Sequence, residues 1–387
     1  MTHTPIYLDY AATTPLQPEV LDAMMPFLTA HYGNPSSVYA LGRKTKHVVE
    51  KCRITIADIL GVPGPSILFT SGGTESNNSV FVQGHGHVVS NRIEHESVRE
   101  SIKNRFTPEQ TTWVAPTSQG HIAVDDFEKA LAGLKGASSD PVLASFMAVN
   151  NELGSINPIA DLAALGKKYN VEFHTDAVQA AGVLALSELA RDVQYLSLSG
   201  HKMGGPKGVG VLVAQPVTPL RSLVYGGGQE QDRRAGTENV AGIVGFTKAL
   251  QLAHRNREAT AKKLHSLRDA LTALFRQTLP DQIQFNSPME GDYSPHILNI
   301  LCLDKRGKGL DGEMLILGLD MVSIYVSAGS ACSSGTVKVS PVLTEMGIPY
   351  NKAKGAVRIS LHESQSESEI LEAGRRICTV VSRMSSI

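Results

Sequence analysis

The sequence has little of what marks several classes of protein. Its 387 residues include four cysteines and one tryptophan, and aromatic residues make up only 5% of the chain. No apolar run approaches the roughly 20 residues that a membrane-spanning helix needs. The net charge of −1 produces no long-range field that would attract nucleic acid or an anionic membrane. We therefore expect neither nucleic acid nor a membrane as a direct partner.

The N-terminal segment and the cysteines predict a cytoplasmic location. "MTHTPIYLDY" lacks the charged start and apolar core of a signal peptide. In a reducing compartment the cysteines would be thiols, and no C-x-x-C pair suggests a zinc site, so no metal site is predicted. Cys52, Cys302 and Cys378 fit the pattern of small buried residues. Cys332 differs, because "SAGSACSSGT" at 327–336 has almost no bulky side chain to bury it.

The order of apolar segments predicts an α/β fold. Short strands alternate with helical segments from about residue 65 to 215, which favours a large domain with a mostly parallel, seven-stranded sheet flanked by helices. After about residue 255 the pattern changes to a long charged helix, further strands and a closing amphipathic helix, typical of a smaller α+β domain. We assign residues 15–255 to the large domain and residues 1–14 and 256–387 to the small one.

Three polar segments follow predicted strands, where ligands of such sheets bind. "TSGGTESNN" at 70–78 offers glycines and helix-start amides that suit a phosphate, although a strand-to-helix turn with a threonine cap explains it equally well. Asp176 in "FHTDAVQAA" follows an apolar strand, so it is either a helix cap or the partner of a cation. Lys202 in "YLSLSGHKMGGPKG" ends another strand, and a lysine in a dry pocket loses its proton readily. Lys207 is the rival lysine, in a turn that looks exposed to solvent.

Together these segments indicate one cofactor. A phosphate cup, a carboxylate for a ring nitrogen and a lysine for an aldehyde are the protein groups that pyridoxal 5′-phosphate requires. Their order on an alternating sheet makes a pyridoxal-phosphate enzyme a better explanation than three unrelated loops.

The chain also resembles cysteine desulfurases of the NifS/IscS type, in the class-V aminotransferase branch of the fold-type-I pyridoxal-phosphate enzymes. The resemblance runs nearly end to end, through "YLDYAATTPL", "GNPSS", "TSGGTESNN", "EHESV", "VNNELG", "HTDAVQ", "SGHKMGGPKG", "GGGQEQDRRAGTEN", "SAGSACSSG" and "VRISL". It implies the fold-type-I architecture and the conversion of L-cysteine to L-alanine with transfer of the sulfur.

The resemblance also implies roles for individual residues around the cofactor. Lys202 would bond to the aldehyde, Asp176 would pair with the ring nitrogen, and Gln179 would bind the phenolic oxygen. His95 would stack over the ring and move protons. The phosphate would be bound by Gly73, Thr74, Ser199 and His201.

Further residues would complete the site and its substrate pocket. Arg358 would clamp the substrate carboxylate with its bidentate fork, helped by Asn151 and Asn34. Asn151 would also contact the cofactor. Thr237 would reach the phosphate of a neighbouring subunit, which implies a homodimer with shared active sites.

The resemblance gives Cys332 a role as nucleophile. It would lie on a mobile loop of about residues 325–340, take the substrate sulfur as a persulfide and pass it on. A thiolate is needed for that attack, and His95 is the candidate that assists. Acceptors would be proteins such as an iron–sulfur cluster scaffold or tRNA thiolation proteins, and Cys332 is a possible iron–sulfur ligand during cluster transfer.

Alternatives remain at this point. A selenocysteine lyase or cystine C–S lyase on the same scaffold releases its product without a protein persulfide, so Cys332 discriminates against it. An aminotransferase would keep the amino group on the cofactor, and a non-catalytic assembly partner would not need to keep Lys202, Asp176 and Cys332. The chain departs from the family pattern at Tyr39, Gly204, Asp232 and His362.

Overall fold

The computed structural model describes residues 4–134, 141–215, 220–328 and 339–386. Within them the strands are β1 Ile6–Tyr7, β2 Ile67–Thr70, β3 His87–Ser90, β4 Thr111–Trp113, β5 Val142–Ser145, β6 Glu172–Asp176, β7 Tyr195–Ser199, β8 Gly210–Ala214, β9 Ile283–Phe285, β10 Ile297–Cys302, β11 Ile324–Tyr325 and β12 Ala356–Ser360. The helices are α1 Pro18–Thr29, α2 Ala40–Leu60, α3 Gly73–Val80, α4 Glu96–Arg105, α5 Val124–Leu134, α6 Ile159–Lys168, α7 Leu186–Asp192, α8 Val240–Thr278, α9 Gly312–Met321, α10 Pro341–Glu345, α11 Tyr350–Ala353 and α12 Glu367–Met384.

The central sheet has seven strands in the order β2-β8-β7-β6-β5-β3-β4. Strand β8 runs antiparallel to both its neighbours, and the other pairs are parallel. Strands β2, β7 and β8 are buried along their whole length. Strands β2 and β8 are mostly apolar, whereas β7 alternates apolar residues with the buried Ser197 and Ser199. The prediction of a mostly parallel, seven-stranded sheet flanked by helices is confirmed.

Two further sheets are formed by strands from the C-terminal part of the chain together with β1 near the N-terminus. Strands β12, β10 and β9 form an antiparallel sheet, and β1 pairs in parallel with β11. These strands share an apolar cluster with α9, α12 and the second half of α8, separate from the cluster under the central sheet. We call the large cluster under the central sheet the first core and this cluster the second core. The division of the chain into two domains stays a prediction.

Helix α8 joins the two cores. The sequence predicted a charged helix from about residue 256, whereas α8 begins at Val240 and runs unbroken to Thr278. Its first turns, among them Phe246 and Leu250, pack under the central sheet, and Leu267 and Leu271 lie in the second core. The early start escaped prediction because this part of the helix is buried and lacks the charged face of the second half.

No helix among the described residues is both long and apolar enough to span a bilayer. The carboxyl ends of β5, β6 and β7 open onto a cleft that β12 borders from the second core. Loops at that edge carry the side chains described next, as expected for a parallel sheet.

Candidate active site

A cavity of about 310 Å³ lies at the carboxyl ends of the central strands. It brings together most of the residues that the sequence predicted for the site, since its lining includes Gly73, Thr74, His95, Asn151, Asp176, Gln179, Ser199, His201, Lys202 and Arg358. These residues come from six separate segments of the chain. The cavity is therefore the candidate active site.

Lys202 ends a short 3₁₀ turn that directly follows β7. Its Nζ donates to the carbonyl oxygens of Ala11 and Ala12, at 2.6 and 2.8 Å. Burial, followed by the charge of Arg358, lowers the pKa of Lys202 to about 8. A neutral amine has two hydrogens, so it satisfies both carbonyls and keeps its lone pair, which is the form that attacks an aldehyde.

The carboxylate of Asp176 lies at the end of β6 and is buried. Its Oδ2 accepts from Asn77 Nδ2 at 2.7 Å, and its Oδ1 accepts from the backbone amide of Val178 at 3.0 Å. Each carboxylate oxygen can accept more than one hydrogen bond, so Asp176 keeps capacity for a protonated ring nitrogen. The bond from the Val178 amide is a local capping contact, and the role of Asp176 toward a cofactor stays a prediction.

His95 precedes α4 and caps its first turn through its side chain. The backbone amide of Ser97 donates to His95 Nδ1 at 3.1 Å, and the Ser97 hydroxyl lies 2.8 Å from the same atom. The ring is open to the cavity, yet desolvation by the surrounding protein lowers the pKa of His95 below its ordinary value. The imidazole is therefore neutral at neutral pH.

The turn from β2 into α3 forms a cradle at one end of the cavity. Gly72 has φ +150°, a conformation that other residues rarely adopt, and a Cβ on Gly73 would lie 2.8 Å from Val178 Cγ2. The amides at the start of α3 form the kind of helix N-terminus that binds anions. Ser199 lies beside this cradle, and Ser199 and His201 both line the cavity. Desolvation and the charge of Lys202 lower the pKa of His201 to about 4.

Gln179 is held by the second core. Its Nε2 donates to the Ala11 carbonyl at 2.9 Å, and its Oε1 lies 3.2 Å from Nε2 of His296. His296 is fully desolvated, which lowers its pKa to about 3, and its Nδ1 lies 2.6 Å from the Ser294 hydroxyl. A neutral His296 thus donates to Oε1 and leaves the amide group of Gln179 as the donor toward the cavity. The sequence gave no reason to single out His296.

Arg358 reaches the cavity from β12. Its Nη1 donates to the carbonyl of Asn151 at 2.9 Å, and its Nη2 donates to Asp9 Oδ1 at 2.8 Å. The Nε atom is buried and has no hydrogen-bond partner among the described residues. Nη1 and Nη2 each carry a second hydrogen beyond these two bonds, so the guanidinium keeps donors that could bind a carboxylate.

Two buried carboxyl groups in the cavity lining were not predicted. Glu94 Oε1 accepts from Asn91 and from the Met147 amide, at 2.9 and 2.8 Å, while its Oε2 has no partner among the described residues. Burial raises the pKa of Glu94 to about 8 and also raises that of Glu152, whose carboxylate accepts from Ser340. Nothing in the sequence around Glu94 or Glu152 indicates that its carboxyl group is buried, so only the structure identifies these two residues.

Two predicted site residues, Asn34 and Thr237, lie outside the cavity, and a third is not described by the structure. Asn34 is exposed, and its Oδ1 accepts from the Ser36 amide, which is an ordinary turn role. Thr237 is also exposed and does not line the cavity of its own chain. Cys332 lies outside the described residues. The predicted roles of all three stay predictions.

The segment that leads to Thr237 is anchored near the phosphate cradle. Arg234 Nε donates to Glu75 Oε1 of α3 at 2.9 Å. Glu230 pairs with Arg53 at 2.6 Å, where both side chains are almost fully buried. Asp232, which departs from the family pattern, has φ +62° and follows two residues that are also left-handed. Asn, Asp and glycine tolerate the left-handed region best. Asp232 therefore suits this turn, whereas Glu230 and Gln231 adopt it against their local preference.

The other departures have local explanations. Gly204 has φ +79°, and a Cβ there would collide with the side chain of Gln17. His362 stacks on Tyr10 with ring centroids 4.7 Å apart. Tyr39 is exposed at the start of α2. None of these changes removes a group from the cavity.

The donor set of the cavity fits pyridoxal 5′-phosphate. A lysine whose pKa is lowered to about 8, a buried carboxylate with open lone pairs and a glycine cradle that a Cβ would fill lie in one cavity. Fold and site thus define a pyridoxal-phosphate enzyme of fold type I, and the chain belongs to the class-V aminotransferase family, which it matches over residues 6–372. Enzymes of this family use that cofactor.

Comparison with known proteins shows which members of this family the chain is similar to. The chain is 39% identical to cysteine desulfurase IscS of Dictyoglomus turgidum, over 92% of this chain and 89% of the relative. It is 36% identical to cysteine desulfurase IscS of Clostridium botulinum, over 94% of this chain and 91% of the relative. Among solved structures, a NifS-like protein superposes with a TM-score of 0.86 at 32% identity, over 98% of this chain and all of the other.

Proposed function

We propose that the protein is a pyridoxal-phosphate-dependent cysteine desulfurase that converts L-cysteine to L-alanine and keeps the sulfur as a persulfide on Cys332. The observation that carries the proposal is the placement of Lys202, Asp176 and Arg358 in one cavity. A lysine for an aldehyde, a carboxylate for a ring nitrogen and a guanidinium for a carboxylate are what this cofactor and an amino-acid substrate require.

Different residues of the chain have different roles in the proposed reaction. Pyridoxal 5′-phosphate, when bound, supplies an aldehyde that condenses with amines and a ring that withdraws electrons from the substrate α-carbon. Asp176 would keep the ring nitrogen protonated, and Arg358 would bind the substrate carboxylate. Nζ of Lys202, whose pKa is about 8, would take the α-proton. His95 lines the same cavity and would move a proton there.

The sulfur step needs a thiolate that can reach the substrate. The other three cysteines are buried free thiols, and none of them lines the cavity. Burial raises the pKa of Cys302 to about 12 and that of Cys378 to about 11, so both stay protonated. These facts support Cys332 as the nucleophile.

The overall reaction balances without a further oxidant or reductant. The Cβ–S bond of L-cysteine breaks and an S–S bond to Cys332 forms, so the product carbon is reduced while the two sulfurs are oxidised. The Cys332 thiol loses its proton, and one proton ends on Cβ of alanine. A later acceptor thiol then removes the outer sulfur.

The test is a mass measurement. Incubation of the holoenzyme with L-cysteine should add one sulfur, about 32 Da, to the peptide that carries Cys332. The Cys332→Ala variant should bind the cofactor but transfer no sulfur. Release of alanine and elemental sulfur by that variant at the wild-type rate would instead identify a selenocysteine lyase, and release of pyruvate, ammonia and sulfide would identify a cystine C–S lyase. A keto acid formed without free ammonia would identify an aminotransferase, which keeps the amino group on the cofactor.

We also propose the quaternary and cellular setting. A homodimer in which Thr237 reaches the phosphate of the partner subunit fits the exposure of Thr237 and its anchor to α3 through Arg234 and Glu75. The acceptors would be proteins such as an iron–sulfur cluster scaffold. The free cysteines support a reducing, cytoplasmic location. A sedimentation measurement of a monomer at micromolar concentration would contradict the shared site.

A further inference from the structure

The hydrogen bonds of His95 determine which of its nitrogens carries the proton. A backbone amide only donates, so the bond from the Ser97 amide to Nδ1, 3.1 Å long, requires Nδ1 to be unprotonated. The Ser97 hydroxyl, 2.8 Å from Nδ1, must then be the donor in that contact as well. The neutral ring therefore has its hydrogen on Nε2.

Asn77 fixes the direction of the Ser97 hydroxyl. Its Nδ2 donates to Ser97 Oγ at 2.8 Å and to Asp176 Oδ2 at 2.7 Å, which uses both amide hydrogens. A carboxylate only accepts, so turning the amide over would place Asn77 Oδ1 against an oxygen of Asp176. Because Ser97 Oγ accepts from Asn77, its own hydrogen is available for His95.

The hydrogen bonds thus have one direction: Asn77 donates to Ser97, and Ser97 donates to His95. Asp176 fixes the orientation of the Asn77 amide by accepting its other hydrogen. We infer that Ser97 and Asn77 are positioning residues that hold His95 in the Nε2-protonated tautomer, with that proton directed to the cavity. The inference rests on the proposed function, because the role of His95 toward the cofactor is part of that proposal. Neither residue was singled out by the sequence.

The consequence concerns the order of proton movements at His95. Nε2 has no hydrogen-bond partner among the described residues, so its hydrogen is free to bond to whatever occupies the cavity. In this tautomer Nε2 has no lone pair in the ring plane, and Nδ1 is occupied. His95 therefore donates before it accepts, and it is not the base that first deprotonates a thiol.

The experiment measures the tautomer directly in the cofactor-free protein. Long-range ¹H–¹⁵N correlation spectra of ¹⁵N-histidine protein, with His95 identified by its loss in His95→Gln, should show Nε2 protonated and Nδ1 unprotonated at pH 7. A spectrum with Nδ1 protonated would overturn the inference, whatever the activity. If the cofactor fails to bind while the spectrum is as expected, the proposed function fails and the tautomer assignment stands.

A variant pair separates positioning from general packing. Ser97→Ala should raise the pKa of His95 by roughly 0.5–1 unit, since it removes one ordinary hydrogen bond to the unprotonated Nδ1. The control is Ser101→Ala, one turn along the same helix, which removes a buried bond from Ser101 Oγ to the Ser97 carbonyl, 2.7 Å long. The control should leave the His95 titration unchanged. Equal titrations in both variants would contradict the role of Ser97.

Discussion

Arg358, which lines the cavity, forms an ion pair with Asp9, with Nη2 and Oδ1 2.8 Å apart, although 349 positions separate the two residues in the chain. Arg358 lies on β12 and is almost fully buried, while Asp9 follows β1. The pair places a carboxylate of the protein on the guanidinium that we propose as the clamp for the substrate carboxylate. Both charges also act on Lys202, since Arg358 lowers its pKa and Asp9 raises it.

The first prediction concerns Asp9→Asn. Removal of the negative charge leaves the effect of Arg358 on Lys202 uncompensated, so the pKa of Lys202 should fall further below about 8. The pH dependence of pyridoxal-phosphate uptake by the cofactor-free protein reports this pKa. Asp22→Asn, an exposed aspartate on α1, is the control and should not shift the profile. A shift to higher pH in Asp9→Asn would contradict the electrostatic coupling.

The second prediction concerns the buried pair of Arg53 and Glu230. In Glu230→Gln the Arg53 guanidinium stays buried without its charge partner, so the free energy of unfolding should fall by roughly 3–5 kcal/mol. Glu50→Gln removes the other carboxylate that contacts Arg53, but Glu50 is 48% exposed. This control should cost roughly 0–1 kcal/mol. Urea unfolding of both variants at one pH measures the difference, and equal losses would refute it.

The same anchor should affect the proposed shared site. Glu230 holds a turn with three successive left-handed residues that leads toward Thr237. If Thr237 binds the phosphate of a partner subunit, Glu230→Gln should also weaken pyridoxal-phosphate binding, because the turn relaxes when its anchor is lost. Glu50→Gln should bind the cofactor like the wild-type protein.

The third prediction concerns the pH dependence of stability. Burial raises the pKa of Glu94 from 4.5 to about 8, so the folded state binds a proton that the unfolded state releases above pH 4.5. The contribution of Glu94 is complete below pH 4.5 and is lost as the pH rises to about 8, by at most about 1.4 kcal/mol per pH unit.

Glu94→Gln should remove this dependence, since an amide does not titrate. The urea midpoint of the cofactor-free variant should then fall less than that of the wild-type protein between pH 5 and pH 8. Glu100→Gln, an exposed position on α4, should retain the wild-type slope. An unchanged slope in Glu94→Gln would show that Glu94 is ionised in the folded protein.

The fold was largely predictable because its signals are local. Buried strands are short apolar segments, and β2 to β8 all lie within the alternating region predicted over about residues 65–215. The start of α8 was missed because its first turns are buried on most sides, which removes the amphipathic pattern that marks a surface helix.

The sequence predicted those residues of the candidate site that lie in a motif at the end of a predicted strand. Lys202, Asp176 and the glycines of the 70–78 segment all follow strands, so the parallel sheet brings them to one edge. Glu94, Asn77, Ser97 and His296 were missed, since nothing in a single sequence tells a buried carboxyl or amide from an exposed one. Their roles depend on partners from other segments, such as the 99 positions between Asn77 and Asp176.

The sequence by itself determined which chemical groups the protein has and which strand each of them follows. Side-chain chemistry and strand periodicity are local properties, so both can be read along the chain. Only the tertiary structure decided their protonation and hydrogen-bond direction. Desolvation of Lys202 and Glu94, and the donors that face His95, arise when distant segments pack against one another. A pKa is set by the free energy of a charge in its surroundings, and those surroundings exist only after folding.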